Sequence, residues 1–118
     1  MKNQTFARKL RNAFTGIRWA WAAERNFRIE VGLGILTLVV FAIVQPAALW
    51  WGLIVLCVAL VLAAELANSA IEALADHLHP EIHPTIGKVK DMLAGMVLVI
   101  SAGAAVVASL ALYATLMA

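Results

Sequence analysis

Two stretches of this chain contain almost nothing that can ionise. Between residues 31 and 64 the only ionisable side chain is Cys57, and between 92 and 118 the only one is Tyr113. Each stretch exceeds the roughly 20 residues that carry a helix across the hydrocarbon core of a bilayer. A backbone in hydrocarbon must satisfy its own hydrogen bonds, which leaves helices or closed barrels. Continuous apolar runs without alternation choose helices. Composition agrees, with 64% of the 118 residues hydrophobic and 14% charged, against roughly 45–50% and 25% in soluble domains. The expectation is one all-α integral membrane domain over residues 1–118, with no nucleic-acid partner.

The run 31–64 is too long for a single crossing. Gln45-Pro46 lies near its middle, and a proline with a polar neighbour marks a turn. Trp50 and Trp51 stand beside that turn, where aromatic rings favour the membrane interface. Transmembrane helices are therefore expected at 29–46, 48–74 and 91–117, with a polar loop at 76–90 broken by Pro80, Pro84 and Gly87. The third carries Ala94, Gly95, Ala102, Gly103, Ala104, Ala105 and Ala108, small residues that let helices pack closely in lipid. Upstream, Phe6, Leu10, Ala13, Phe14, Ile17 and Trp21 recur at steps of three and four, while Arg11, Arg18 and Arg25 repeat on another face. Residues 1–28 thus read as an amphipathic helix lying in the interface, basic groups toward anionic headgroups. Its charges are spread throughout instead of preceding a short apolar core, so it reads as retained and not as a cleaved signal. All nine Lys and Arg fall in this segment or in 76–91. The positive-inside bias puts both in the cytoplasm, and the 45–46 turn and the C-terminus outside. Cys57, the one cysteine, excludes an intrachain disulfide and reads as a small core residue.

The chemistry sits where the second apolar run ends. In Ala64-Glu65-Leu66-Ala67-Asn68-Ser69-Ala70-Ile71-Glu72, residues 65, 68 and 72 are spaced i, i+3, i+7 and project from one helix face. An ionised group near hydrocarbon costs several kcal/mol, roughly 2.5–3.5 at a helix centre. Two carboxylates on one stripe, with no Lys or Arg among them, need a partner from outside, and a divalent cation would supply it. The bland alternative is a pair of acids snorkelling at a helix end. Glu24 could simply pair with Arg28 at i+4, and Asp76 could be a solvated residue leaving the helix. The cluster Asp76, His77, His79, Glu81, His83 invites a transition-metal reading, but Pro80 and Pro84 break the geometry that would converge such ligands, and no Cys is near. No G-x-x-x-x-G-K-[ST] loop is present.

These residues resemble the small prokaryotic diacylglycerol kinase family, which also includes bacterial undecaprenol kinases. The resemblance runs from about Arg8 to Tyr113. It rests on Glu24-Arg25-Asn26-Phe27-Arg28-Ile29-Glu30, on the 64–72 motif with Asp76, and on Lys88-Val89-Lys90-Asp91 followed by Gly95. It implies a homotrimer of three-span subunits in the bacterial cytoplasmic (inner) membrane, with active sites shared between neighbours at the cytoplasmic face. It implies transfer of the ATP γ-phosphate to a lipid hydroxyl with Mg²⁺ as cofactor. The acceptor expected is diacylglycerol, giving phosphatidic acid, with undecaprenol as the alternative. By the resemblance Glu65 is the general base and Asn68 an orienting amide, while Glu24 and Glu72 hold Mg²⁺ with the nucleotide. Glu81, His83, Lys90, Asp91, Asn12 and Arg8 are the further nucleotide contacts it implies. The lipid substrate would meet Glu65, Arg18, Trp21, Asn26, Phe27, Arg28, Glu30 and Trp51. Two positions depart from the family pattern. Thr5 stands where an Arg often contacts nucleotide, with Arg8 or Lys9 a turn away, and Ala94 replaces a hydroxyl residue.

Elementary chemistry supports the same division. Phosphoryl transfer is mostly positioning and charge neutralisation. Mg²⁺ is usually held by one or two carboxylates plus substrate phosphates. Glu65 is deeper along its helix than Glu72 by about 10 Å, so the deeper acid faces the lipid hydroxyl and the shallower one the nucleotide. Two other classes compete. A small proton-coupled transporter would place its acid near the midplane and leave the cytoplasmic face bare. A structural or pore-forming subunit would explain the small residues of the third span but not Glu24, Glu65 and Glu72.

Overall fold

The computed structural model describes residues 5–118. Four α-helices account for almost all of them: α1 (Phe6–Ala23), α2 (Arg25–Val44), α3 (Ala48–Leu78) and α4 (Pro84–Leu116). The first four residues, expected to open the surface helix, lie outside the described ones. The last three helices are each long and apolar enough to cross a membrane, and the chain is a multi-pass membrane protein. Their 20, 31 and 33 residues make helices of about 30, 46 and 50 Å. Only the first matches the roughly 30 Å hydrocarbon core. The other two overhang it at the end where they join each other, which is where the charged side chains lie.

Local chemistry sets the boundaries. Thr5 caps α1, its Oγ1 accepting from the Arg8 N–H at 3.2 Å, which satisfies one of the free donors of a first turn. The surface helix expected over 1–28 stops earlier. Glu24 is extended at φ −114°, ψ 109°, and Arg25, Asn26, Phe27 and Arg28 form the first turn of α2. The break is held by Arg28, whose Nη1 donates to the carbonyls of Trp21 at 2.6 Å and Ala22 at 3.4 Å. A helix end leaves such carbonyls without partners, and a guanidinium seven residues on supplies one. Gln45 takes the left-handed conformation (φ 62°, ψ 62°) and its Nε2 donates to the Ala42 carbonyl at 2.8 Å. Pro46 then cannot continue the helix.

The polar loop expected over 76–90 shrinks to His79–His83. Asp76, His77 and Leu78 complete α3, and residues 84–90 open α4. Pro84 starts that helix instead of breaking it. At the first helical position its missing N–H costs nothing and its φ is already helical. The His83 Nδ1 accepts from the Thr85 N–H at 3.1 Å and caps the turn.

The most extensive packing is between α3 and α4, with α2 against α3 and α1 touching both α2 and α3. α2 meets α3 closest at Gly34, where a Cβ would stand 2.9 Å from Val58 Cγ1. Toward the Gln45 turn, Phe41, Ile54 and Ala111 form a buried cluster with Trp50 and Trp51 packed on it. Between these levels α2, α3 and α4 enclose a cavity of about 330 Å³, open at the side and lined from Glu30 through Gly34 and Cys57 to Ala108. Large apolar side chains on the outward faces, such as Ile43, Leu98 and Val99, are exposed, as a hydrocarbon solvent permits.

Candidate active site

Glu65 is the centre of the arrangement. It is 5% exposed, and Ser69, one turn on, is 7% exposed. From Ala48 to Glu65 the rise is about 26 Å, so a helix entering hydrocarbon at Ala48 brings this carboxylate just inside the opposite boundary. Burial there follows from packing: α3 turns the 65–69 face inward, toward the α1–α2 joint at Glu24 and the start of α2 at Glu30. Glu24 at the α1–α2 joint, Glu30 on α2 and Glu72 on α3 all lie within electrostatic range of Glu65. Four carboxylates from three elements therefore converge. The extended residue at Glu24 contributes to this, because it turns the chain between α1 and α2 and is itself half-buried.

Among the described residues no ion pair neutralises these four carboxylates. The ion pairs among the described residues are Asp76–Lys90, at 2.7 Å, and His79–Glu81, at 3.8 Å, and they leave Glu24, Glu30, Glu65 and Glu72 without one. Arg28, a candidate partner for Glu24, is occupied with the end of α1. Asn68 lies between Glu65 and Glu72 on the same face, and its Oδ1 is shut from solvent with no hydrogen-bond partner. A buried acceptor of this kind is ordinarily satisfied, which makes Asn68 a candidate to meet a donor of a bound ligand or water.

The donor set is all carboxylate and amide oxygen, which suits a hard cation such as Mg²⁺. Among the described residues no group of three or more His, Cys, Asp or Glu is arranged to hold a metal ion alone.

The other expected site residues divide. Lys90 reaches Asp76 and also lies within electrostatic range of Glu72. Asp91 follows it on α4, exposed, and Glu81 is exposed in the loop. His83 spends Nδ1 on the α4 cap, which leaves only Nε2 for a ligand. Arg8, Asn12 and Arg18 lie on exposed positions of α1, as does Trp21, and Asn26 opens α2 exposed. Phe27 is buried and serves packing. Trp51 stands fourteen residues before Glu65, in the cluster at the far end, about 21 Å away along α3. The chain does not bring it to the carboxylates. Two residues of the site were not singled out from the sequence as site groups: Ser69, whose signal is its i+4 spacing from Glu65, and Asp76, whose partner lies on another helix.

A sequence profile of the prokaryotic diacylglycerol kinase family matches residues 11–112. The diacylglycerol kinase of Helicobacter pylori (strain J99) is 39% identical over 77 residues, covering 65% of this chain and 60% of that protein. That of Escherichia coli (strain K12) is 39% identical over 88 residues, 74% of this chain and 71% of its own length. That of a Synechocystis species is 31% identical over 98 residues, 82% of this chain and 56% of its own. With three apolar helices, a shorter helix before them, a buried carboxylate on the second of the three, and a match along nearly its whole length, the chain belongs to the prokaryotic diacylglycerol kinase family.

Proposed function

We propose that this protein is an ATP- and Mg²⁺-dependent lipid kinase that phosphorylates diacylglycerol to phosphatidic acid at the cytoplasmic face of a bacterial inner membrane. The observation that carries the reading is the buried Glu65 carboxylate with Glu24, Glu30 and Glu72 around it and, among the described residues, no ion pair to any of them. The names of the relatives favour diacylglycerol as acceptor. The basic residues of α1 and of the 76–91 stretch favour the cytoplasmic side.

In this reading Glu65 sits at the depth of a lipid hydroxyl and takes its proton. The freed oxygen attacks the γ-phosphorus, the bond to the β–γ bridging oxygen breaks, and ADP leaves. Burial of Glu65 keeps water, the competing acceptor, away from the reacting phosphoryl group. Glu24 and Glu72, nearer the aqueous end, would hold Mg²⁺, which when bound neutralises charge on the phosphates. Asn68 offers its unpartnered Oδ1 to a hydroxyl or water proton and so orients the group beside Glu65. Lys90 supplies a positive charge to the phosphate chain and leaves the lipid side bare. Assembly as a homotrimer, with neighbours completing each site, belongs to the same proposal, as the open flank of the single chain allows.

The test is transfer of label from γ-labelled ATP in detergent micelles, with diacylglycerol and undecaprenol offered separately, with Mg²⁺ or with EDTA. Label in diacylglycerol that disappears with EDTA and in Glu65→Gln is the expected result. Label in undecaprenol alone reassigns the acceptor, and no label in either lipid from folded protein overturns the reading.

A further inference from the structure

We propose that Asp76 is a positioning residue for nucleotide: it holds the Lys90 ammonium beside Glu72, so that the phosphates of MgATP meet a cation already in place. The proposal rests on the kinase reading and adds to it a residue with no role in the chemistry itself.

Asp76 follows Glu65 by eleven residues and Glu72 by four, so it continues the same face of α3. Lys90 comes from the second turn of α4, across the five-residue loop. Its Nζ donates to Asp76 Oδ1 at 2.7 Å, a short, charge-assisted bond. Asp76 is one helical turn from Glu72 on the same face, so the ammonium it holds sits one turn beyond the end of the Glu65–Glu72 stripe. An ammonium has three donors. Asp76 occupies one and leaves the others to a ligand, so the pair need not break when phosphate binds. The side chains are 40% and 62% exposed, and an exposed pair of this kind adds little to folding. The contact of α3 with α4 extends far beyond this pair and does not depend on it. What the pair does achieve is to remove the freedom of a long, flexible side chain before nucleotide arrives.

The experiment uses the full-length protein in micelles, with kinetics in MgATP and in lipid and with binding of a fluorescent ATP analogue. Asp76→Asn is expected to raise KM for MgATP and the analogue's Kd about fivefold, the scale of a well-formed exposed ion pair, with kcat and lipid KM within about twofold. Asp76→Glu, which still reaches Lys90, is expected to stay near wild type. In a K90M background the asparagine substitution is expected to add nothing. The exchange D76K/K90D rebuilds an ion pair but moves the cation to α3, so melting temperature stays near wild type, as in D76N, and the nucleotide constants are not restored. Wild-type constants in D76N, the same fold rise in the K90M background, or recovery of KM by the exchange would each overturn the proposal. A wild type that binds nucleotide without phosphorylating lipid overturns the kinase reading alone, and the Kd comparison then judges Asp76. A wild type that binds no nucleotide overturns both.

Discussion

Gly34 sets how close α2 comes to α3, and substituting it tests whether that approach positions the acids. A Cβ at this position would lie 2.9 Å from Val58 Cγ1, whereas carbon atoms rest at about 3.5–4.0 Å. Val58 cannot swing aside, because a β-branched side chain in a helix has essentially one rotamer. Gly34→Ala must therefore open the helix pair by roughly 0.6–1 Å. Overpacking of this kind costs about 1–3 kcal/mol, and the better helix propensity of alanine returns up to about 1 kcal/mol. A net loss of about 1 kcal/mol is expected. Glu30 lies one turn before Gly34, so the displacement also carries it away from Glu65, and activity should fall with stability. Val58→Ala vacates the contested space. The double variant G34A/V58A should be more stable than the sum of the single losses by at least about 1 kcal/mol, with activity partly recovered. Unfolding in mixed micelles titrated with SDS, followed by circular dichroism, measures the cycle. Strict additivity, or a G34A protein as stable and active as wild type, would refute the steric argument.

Glu65→Gln removes the proposed base while keeping its shape, and kcat should fall by roughly 10²- to 10⁴-fold, with binding of a fluorescent ATP analogue within about twofold. Loss of binding instead would make Glu65 a nucleotide ligand. Glu72→Gln should raise the free Mg²⁺ needed for half-maximal activity by roughly tenfold, about the loss of one charge-assisted interaction. A Mg²⁺ titration at fixed ATP reads it, and an unchanged midpoint removes Glu72 from the metal site. Arg28→Met retains the aliphatic stem but loses both bonds to the end of α1, which should cost about 1 kcal/mol. Hydrogen exchange should then quicken at residues 21–24 before it does in α3, and uniform protection would show that the joint is held by packing alone.

The apolar helices were legible because charge is so costly in hydrocarbon that its absence over 31–64 and 92–118 leaves little choice. Their ends were less so. Pro84 reads as a breaker in isolation, but with His83 as a cap it is a favourable first residue, and the loop contracts to five residues. The end of α1 was hidden for a different reason. Apolar spacing lapses after Trp21 without announcing a break, and the group that stabilises the break, Arg28, lies on the following helix. The i, i+3, i+7 stripe of Glu65, Asn68 and Glu72 could be read directly, since a single helix fixes it. The approach of Glu24 and Glu30 could not, because it depends on how α2 packs against α3.

That difference bears on how so short a chain could carry a phosphoryl-transfer site. α3 by itself would place Glu65 and Glu72 at a membrane boundary, where each could snorkel toward water. The joint at Glu24 and the tight crossing at Gly34 bring the start of α2 toward that face, and Glu65 loses solvent while gaining three like-charged neighbours. Such an arrangement opposes folding, and among the described residues none of the four acids is held in an ion pair. On the proposed reading the relief arrives with the substrate, as the metal ion that accompanies ATP. Mg²⁺ should therefore stabilise the folded protein by binding only its native state, more so with nucleotide, and the same gain should need roughly tenfold more Mg²⁺ in Glu72→Gln. A rise in melting temperature with the same Mg²⁺ dependence in that variant would mean that the acids are balanced by something else and that the cluster is not the metal site.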